Sequence, residues 1–261
     1  MDAQIVAPIA QAAARSRLWE IDTVRGLAVV AMIFFHFMWD LQFFGLTSVN
    51  VFSSGWQTFA RSIGSTFIFV MGLSLTLDAA RTRGDDRGLW RRNLRRGAVI
   101  FGCGLLVSLA TFAVVGNEFV RFGILHLAGA SIIFATPFVR ARAWVSALVG
   151  LLVIGVGAFL QTRAVSFPWL IPFGIRQAGV TMVDYYPLLP WFGVALLGIA
   201  FGQTAYSQGV RHFMLPELNG ALVVRGLRLL GRHSLVIYLV HQPVLIALLL
   251  AARFARLVQK P

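Results

Sequence analysis

The chain has 261 residues, of which 58% are hydrophobic and 13% are charged, and its mean hydropathy is +0.77. Soluble globular domains carry about 25% charged residues, so this composition excludes an ordinary soluble protein and predicts an all-α, polytopic transmembrane helical bundle. The net charge of +13 would suggest nucleic-acid binding in a soluble protein. Here the basic residues lie between apolar blocks, which indicates cytoplasmic loops that meet anionic membrane lipid and no nucleic-acid partner.

Apolar runs follow one another along the chain, each close to the ~20 residues that cross a bilayer core, and they predict about seven spans. The runs lie at about 24–45, 60–79, 97–115, 121–139, 143–160, 188–206 and 231–252. Together they predict a single transmembrane domain over residues 17–252. Residues 1–16 lack the basic start and apolar core of a signal peptide, so we expect an uncleaved cytoplasmic tail there, and residues 253–261 form a basic C-terminal tail.

The distribution of Lys and Arg among the loops predicts the orientation. With the N-terminus inside, most of the 23 basic residues fall on the cytoplasmic side, and the loop 81–96 alone holds seven arginines. We therefore expect a cytoplasmic N-terminus, with residues 161–187 on the outer side. The basic C-terminal tail fits seven spans poorly, which leaves six or eight spans open.

The first span carries four ionisable side chains, Asp22, Arg25, His36 and Asp40. Each costs roughly 2.5–3.5 kcal/mol to insert, so each is a functional-site hypothesis. At about 100° per residue all four project from one stripe of a helix, and His36 lies about 16 Å above Arg25, near mid-membrane. A carboxylate one turn from a buried imidazole favours His36 as a general base supported by Asp40. The alternative is an Asp22–Arg25 ion pair at the start of the helix and a merely hydrogen-bonded His36.

Three further polar side chains are candidates for acceptor binding or for support of the site. His126 lies at the outer end of the fourth span, and His241 lies near Pro243 in the last span. A single histidine in such surroundings is more often structural than catalytic. Asp184 precedes two tyrosines typical of a membrane-interface belt, and it faces the compartment from which an acceptor would enter. The single cysteine, Cys103, excludes a disulfide framework and a cysteine metal site within one chain, and we predict no metal.

Five motifs, taken in order, resemble the integral-membrane acyltransferases. They are EIDTVRGLA at 20–28 followed by His36, FIFVMGLSL at 67–75, RFGILH at 121–126, DYYPLLPW at 184–191 and GRHSLVIYLVHQP at 231–243. Within that group the chain resembles the bacterial branch of the heparan-α-glucosaminide N-acetyltransferase catalytic-domain family, over residues 17 to 250. The family's arginine and histidine correspond to Arg25 and His36. The eukaryotic lysosomal enzymes carry their own histidine in an outer loop, whereas residues 42–57 hold none here, so their glucosamine substrate does not carry over.

The resemblance implies a multi-pass protein of the bacterial inner membrane that moves an acyl group, commonly acetyl, from cytoplasmic acyl-CoA to a sugar on the far side. Acetyl-CoA is then a donor substrate, and no tightly bound cofactor is expected. Its phosphates cannot enter hydrocarbon, so we expect donor binding by Arg25 and Asp22 in an arginine-lined cytoplasmic mouth that includes residues 91, 92, 95 and 96. His36 then either deprotonates the acceptor or takes the acyl group itself, and we favour deprotonation.

Several alternatives remain open from the sequence. The acceptor is a glycan or a small molecule, the transfer is to oxygen or nitrogen, and the protein acts as a monomer or a homodimer. A proton-coupled transporter would also use intramembrane Asp, Arg and His, although the paired broken helices typical of transporters are not evident. A membrane cytochrome would use two of His36, His126 and His241 as axial ligands.

Overall fold

The computed structural model describes residues 18–258 except for 83, 166 and 178–181. The predicted cytoplasmic tail, residues 1–16, and the last residues of the basic C-terminal tail, 259–261, lie outside this range. The described α-helices are α1 (Trp19–Phe43), α2 (Ser54–Arg81), α3 (Asp86–Val115), α4 (Ile124–Ala135), α5 (Ala143–Leu160), α6 (Leu188–Ala205), α7 (Leu222–Arg232) and α8 (Ser234–Val258). Short 3₁₀ turns occupy Gly116–Glu118, Thr136–Arg140, Pro168–Phe173 and Ser207–Gly209. Two strands of two residues each, Ala164–Val165 and Arg176–Gln177, pair in parallel.

Six of the described helices are long and apolar enough to cross a membrane, namely α1, α2, α3, α5, α6 and α8. The segment Ile124–Arg140, which is α4 with its following 3₁₀ turn, is apolar but shorter. The prediction of an all-α, polytopic membrane bundle is confirmed, with six full-length helices and this shorter one where we predicted about seven spans. The chain is therefore a multi-pass membrane protein.

The sequence prediction missed α7, because residues 207–228 look like a loop by hydropathy. Arginines at 225, 228 and 232 interrupt the apolar residues of this helix. Their spacing of three and four residues nevertheless places them on one face, which is the pattern of an amphipathic helix and not of a span. The observed α7 ends at Arg232, just before α8 begins at Ser234.

The helices divide into two compact units, which we describe separately. The central unit comprises residues 68–216 and contains the later part of α2 together with α3 to α6. Its core is a continuous apolar cluster in which Leu127 and Ile132 of α4 and Leu196 and Ile199 of α6 are completely buried. The terminal unit comprises residues 18–67 and 217–258 and contains α1, the early part of α2, α7 and α8.

Within the terminal unit, two glycines let α7 lie directly on α1. A Cβ atom placed on Gly26 would lie 1.9 Å from the carbonyl oxygen of Leu227, and one on Gly231 would lie 1.9 Å from that of Asp22. Helices pack this closely only where a residue lacks a side chain. The opposite side of α1 exposes apolar side chains, with Leu27 59% and Phe34 50% exposed, as expected for a surface that faces lipid.

The helices α1 and α8 run in the same direction. Asp22 contacts Arg232, which ends α7 two residues before α8 begins, and further along both helices His36 contacts His241. One turn beyond His36, Asp40 contacts Gln242. The contacts thus advance together along the two helices, and they bring a stripe of α1 against one face of α8.

Candidate active site

The start of α1 carries a cluster of charges centred on Asp22. One carboxylate oxygen lies 3.3 Å from Nη1 of Arg25, and the other lies 3.3 Å from Nε of Arg232. Asp22 is buried, whereas the side chains of Arg25 and Arg232 are 21% and 37% exposed. The ion pair between Asp22 and Arg25, which the sequence left open as an alternative, is present, and Arg232 of α7 adds a second guanidinium.

Local structure explains why these three residues meet. Asp22 lies in the first turn of α1, where a negative charge is favoured by the helix dipole, and Arg232 ends α7, where a positive charge is favoured. The close approach at Gly26 and Gly231 then places the end of α7 against the start of α1. The result is a partly exposed pair of guanidinium groups at the start of α1.

Further along α1, the rings of His36 and His241 are in direct contact. Their centroids lie 4.7 Å apart and their planes meet at 79°, an edge-to-face arrangement. His241 is buried and His36 is partly exposed. Phe35 packs against His36 and Tyr238 against His241, so an aromatic side chain flanks each ring of the pair. Rings in such contact leave no room for a porphyrin between them, which argues against this pair as axial ligands of a haem.

The backbone contacts of the two rings determine where their protons lie. Nδ1 of His36 is 2.9 Å from the carbonyl oxygen of Met32, and Nδ1 of His241 is 2.7 Å from that of Tyr238. A carbonyl oxygen only accepts, so Nδ1 carries the hydrogen in both rings. In the neutral imidazole the basic lone pair is then on Nε2. Both histidines therefore present an unprotonated Nε2, the atom that a general base requires.

Asp40 does not contact His36 in the way the sequence predicted. It is completely buried, and its Oδ1 accepts a hydrogen bond from Nε2 of Gln242 at 2.5 Å. No hydrogen bond joins Asp40 to His36 among the described residues, because the ring of His36 leans toward the N-terminus of its helix, to Met32 and away from Asp40. The expected direct partnership is therefore corrected: Asp40 is tied to the residue that follows His241.

In the central unit, His126 has a different environment. It is 2% exposed, stacks on the ring of Phe122 at 5.5 Å with 30° between the planes, and meets Phe101 edge-on at 5.0 Å. Its Nδ1 accepts a hydrogen bond from the backbone N–H of Gly123 at 3.3 Å, and its Nε2 lies 3.5 Å from Oγ of Ser108. His126 thus caps the start of its own helix, α4, and contacts α3.

Asp184 supports the same helix terminus from the loop that precedes α6. Its Oδ2 accepts a hydrogen bond from the N–H of Ile124 at 3.1 Å, at the positive end of the α4 dipole. Burial raises the pKa of the Asp184 carboxyl to about 6, and this backbone hydrogen bond opposes the rise only in part. The contacts of His126 and Asp184 are those of a structural cap.

Comparison with known protein families identifies the family of the chain. The family model described as heparan-alpha-glucosaminide N-acetyltransferase, catalytic, matches residues 17–243. The chain belongs to this family. No curated protein and no solved structure matched it. Membership in the heparan-alpha-glucosaminide N-acetyltransferase catalytic family implies a membrane acetyltransferase in general terms, and the matched range includes every candidate residue from Asp22 to His241.

In this acetyltransferase-family protein, sequence reasoning found most of the site residues but not their pairing. His36 and His241 lie 205 positions apart, and no local pattern connects them. Gln242 was not considered, because an amide beside Pro243 in an apolar run has no distinctive signal. Two glycines could have indicated the approach of α7 to α1. Gly26 lies one helical turn after Asp22, and Gly231 lies one residue before Arg232.

Proposed function

We propose that the protein transfers an acyl group, most commonly acetyl, from acyl-CoA on the cytoplasmic side of the bacterial inner membrane to a sugar or another cell-envelope acceptor. Membership in the acetyltransferase family supports the reaction type. The observation that carries the proposal is the state of His36, whose Nδ1 donates to Met32 and whose Nε2 is left as a base within a membrane-length helix.

The cluster of Asp22, Arg25 and Arg232 is suited to hold the donor. A CoA thioester carries several phosphate charges, and guanidinium groups bind phosphate through paired, charge-assisted hydrogen bonds. With the N-terminus inside, this cluster lies at the cytoplasmic end of α1. His36 lies about 16 Å further along the helix, a distance that the flexible pantetheine arm of CoA is suited to bridge.

The chemistry assigned to His36 is a proton transfer coupled to acyl transfer. Nε2 takes the proton of the acceptor hydroxyl or amine while the acceptor atom attacks the thioester carbonyl carbon. A carbon–oxygen or carbon–nitrogen bond forms, the carbon–sulfur bond breaks, and the departing CoA thiolate takes the proton from His36. The Nδ1–H bond to Met32 fixes the tautomer through the cycle. A route through an acyl-histidine would use the same Nε2 as nucleophile.

Transfer of labelled acetyl from CoA by the purified protein in nanodiscs tests the proposal. Glycans extracted from the cell envelope of a deletion strain supply unmodified acceptors, and we expect label to appear on one of them. The same preparation in sealed vesicles provides the contrast, since a proton-coupled transporter would show substrate flux without acetyl transfer. No transfer to any envelope fraction, together with such flux, would contradict the enzyme assignment.

A further inference from the structure

Three buried polar atoms beside the paired histidines have no hydrogen-bond partner among the described residues. They are Oδ2 of Asp40, Oε1 of Gln242 and Nε2 of His241. Asp40 is completely buried and His241 is 7% exposed. Buried polar atoms of folded proteins are almost always hydrogen-bonded, so three unsatisfied atoms in one small cluster require an explanation.

All three atoms are hydrogen-bond acceptors. Oδ2 belongs to a carboxylate whose other oxygen accepts from Gln242. The amide of Gln242 turns its NH₂ group to Asp40, so its oxygen is the end without a partner. His241 carries its hydrogen on Nδ1, which leaves Nε2 as an acceptor. All three unpartnered atoms are therefore acceptors, so their chemical complement is a group that supplies several donors.

We propose that Asp40, Gln242 and His241 form a subsite that binds the acyl acceptor through neighbouring hydroxyl groups, so that the preferred acceptor is an uncharged polyol. This inference rests on the proposed function. One hydroxyl gives its proton to Nε2 of His36, and adjacent hydroxyls donate to the three acceptors. The partly exposed ring of His36 marks the side from which a ligand reaches them, and entry requires the surrounding side chains to move.

The placement of the acceptors favours a polyol over a single ammonium group. His241 and Gln242 are consecutive residues of α8, so their side chains leave the helix about 100° apart. Asp40 approaches from α1, a different helix. Three acceptors that diverge in this way suit donors on separate atoms of a ligand, whereas the N–H groups of an ammonium radiate from one atom.

The test compares acceptors that differ in hydroxyl number and charge. The probes are methyl β-glucopyranoside, tetrahydropyran-2-methanol, which has a similar ring and one hydroxyl, and methyl glucosaminide, which carries an ammonium group. We expect labelled acetyl to be transferred with the lowest KM to the glucopyranoside. Gln242→Leu should raise the KM for the glucopyranoside by ~10-fold or more, the scale of a lost hydrogen bond. For tetrahydropyran-2-methanol, both kcat and KM should change little. Gln161→Leu, at the end of α5, is the matched control.

The contrary results are distinct. Equal KM values for the two uncharged probes, or an unchanged KM in Gln242→Leu, would overturn the subsite and leave the acyltransferase assignment standing. A clear preference for the glucosaminide would overturn the polyol in favour of an ammonium ligand. If Gln242→Leu fails to fold, Gln242→Asn, which withdraws the amide by one carbon, takes its place.

A binding measurement separates failure of this inference from failure of the proposed function. Methyl β-glucopyranoside alone, without acetyl-CoA, should raise the Tm of the purified protein, and the rise should be lost in the Gln242 variant and kept in the control. This result would support the subsite even in a protein that transfers no acetyl group. The absence of any stabilisation by the glucopyranoside would count against it.

Discussion

The terminal unit and the central unit each contain a histidine on a helix of the membrane region, yet the backbone leaves opposite ring nitrogens of the two without a hydrogen. His36 donates from Nδ1 to the Met32 carbonyl, so its Nε2 is a base. His126 accepts at Nδ1 from the N–H of Gly123, so in the neutral ring its hydrogen is on Nε2, facing Ser108. The comparison teaches that the backbone group that meets Nδ1 determines which nitrogen of an imidazole in a helix is left as the base.

The largest expected effect comes from removing the base of the terminal unit. His36→Gln should reduce acetyl transfer on the order of 10²–10⁴-fold, because an amide retains a polar contact but cannot accept the proton. Purified protein and labelled acetyl-CoA provide the measurement. His126→Gln is the matched control, and it should keep most of the kcat. If both variants fold normally and lose activity equally, the assignment of His36 and not His126 as the general base is wrong.

The next effect concerns the charge cluster at the start of α1. Arg25→Ala should weaken acetyl-CoA binding by about 1.5–3 kcal/mol, the scale of a hydrogen bond to a charged group. Calorimetry, or the rise in Tm caused by acetyl-CoA, measures this change. Arg140→Ala removes an exposed arginine of the central unit that pairs with Asp86, and it should leave donor affinity unchanged. An undiminished affinity in Arg25→Ala would remove that residue from the donor site.

In the central unit the expected consequence of mutation is a loss of stability. His126→Ala removes the acceptor for the Gly123 N–H and leaves a space between Phe101 and Phe122. We expect the free energy of unfolding to fall by about 1–3 kcal/mol, which is the cost of a buried donor left without its partner. Denaturation in mild detergent provides the measurement. A stable His126→Ala protein without activity would show that this residue has a catalytic role after all.

The smallest effect is a pH dependence of stability that originates at Asp184. The folded protein holds the proton of this carboxyl more tightly than the unfolded chain, with a pKa of about 6 against 3.8. Protonation therefore stabilises the fold, and this contribution is present below pH 3.8 and is lost as the pH rises to about 6. Asp184→Asn should remove this decline while still accepting from the N–H of Ile124. Tm values measured across this range, with Asp86→Asn as an exposed control, test the sign. If the Tm of Asp184→Asn declined equally over this pH range, the decline would originate from other groups.

Much of the architecture could be predicted because hydropathy reports directly on membrane-length helices, and the stripe of α1 followed from its helical period. Helix α7 could not be found in this way, since its arginines lower its hydropathy although they lie on one face. The Asp40–His36 partnership failed for a different reason. Spacing along a helix shows that two residues share a face, but the lean of each side chain and the competition of backbone carbonyls determine what they touch.

The pairing of His36 with His241 illustrates the remaining limit. Each residue was a candidate by itself, because a polar side chain in an apolar span is costly. Their contact depends on the way in which the chain returns after 205 residues to place α8 beside α1. Likewise, the difference between His36 and His126 depends on local backbone hydrogen bonds, which residue type alone does not specify.

The shared direction of α1 and α8 has a consequence for the path of the whole chain. Two transmembrane helices that run the same way are separated by an odd number of intervening crossings. Four of the six full-length helices lie between them, namely α2, α3, α5 and α6, so the short apolar segment Ile124–Arg140 must supply the fifth crossing. With that segment counted as a crossing, the total is seven, the number that the sequence predicted. The start of α1 and the end of α8 would then lie on opposite faces of the membrane.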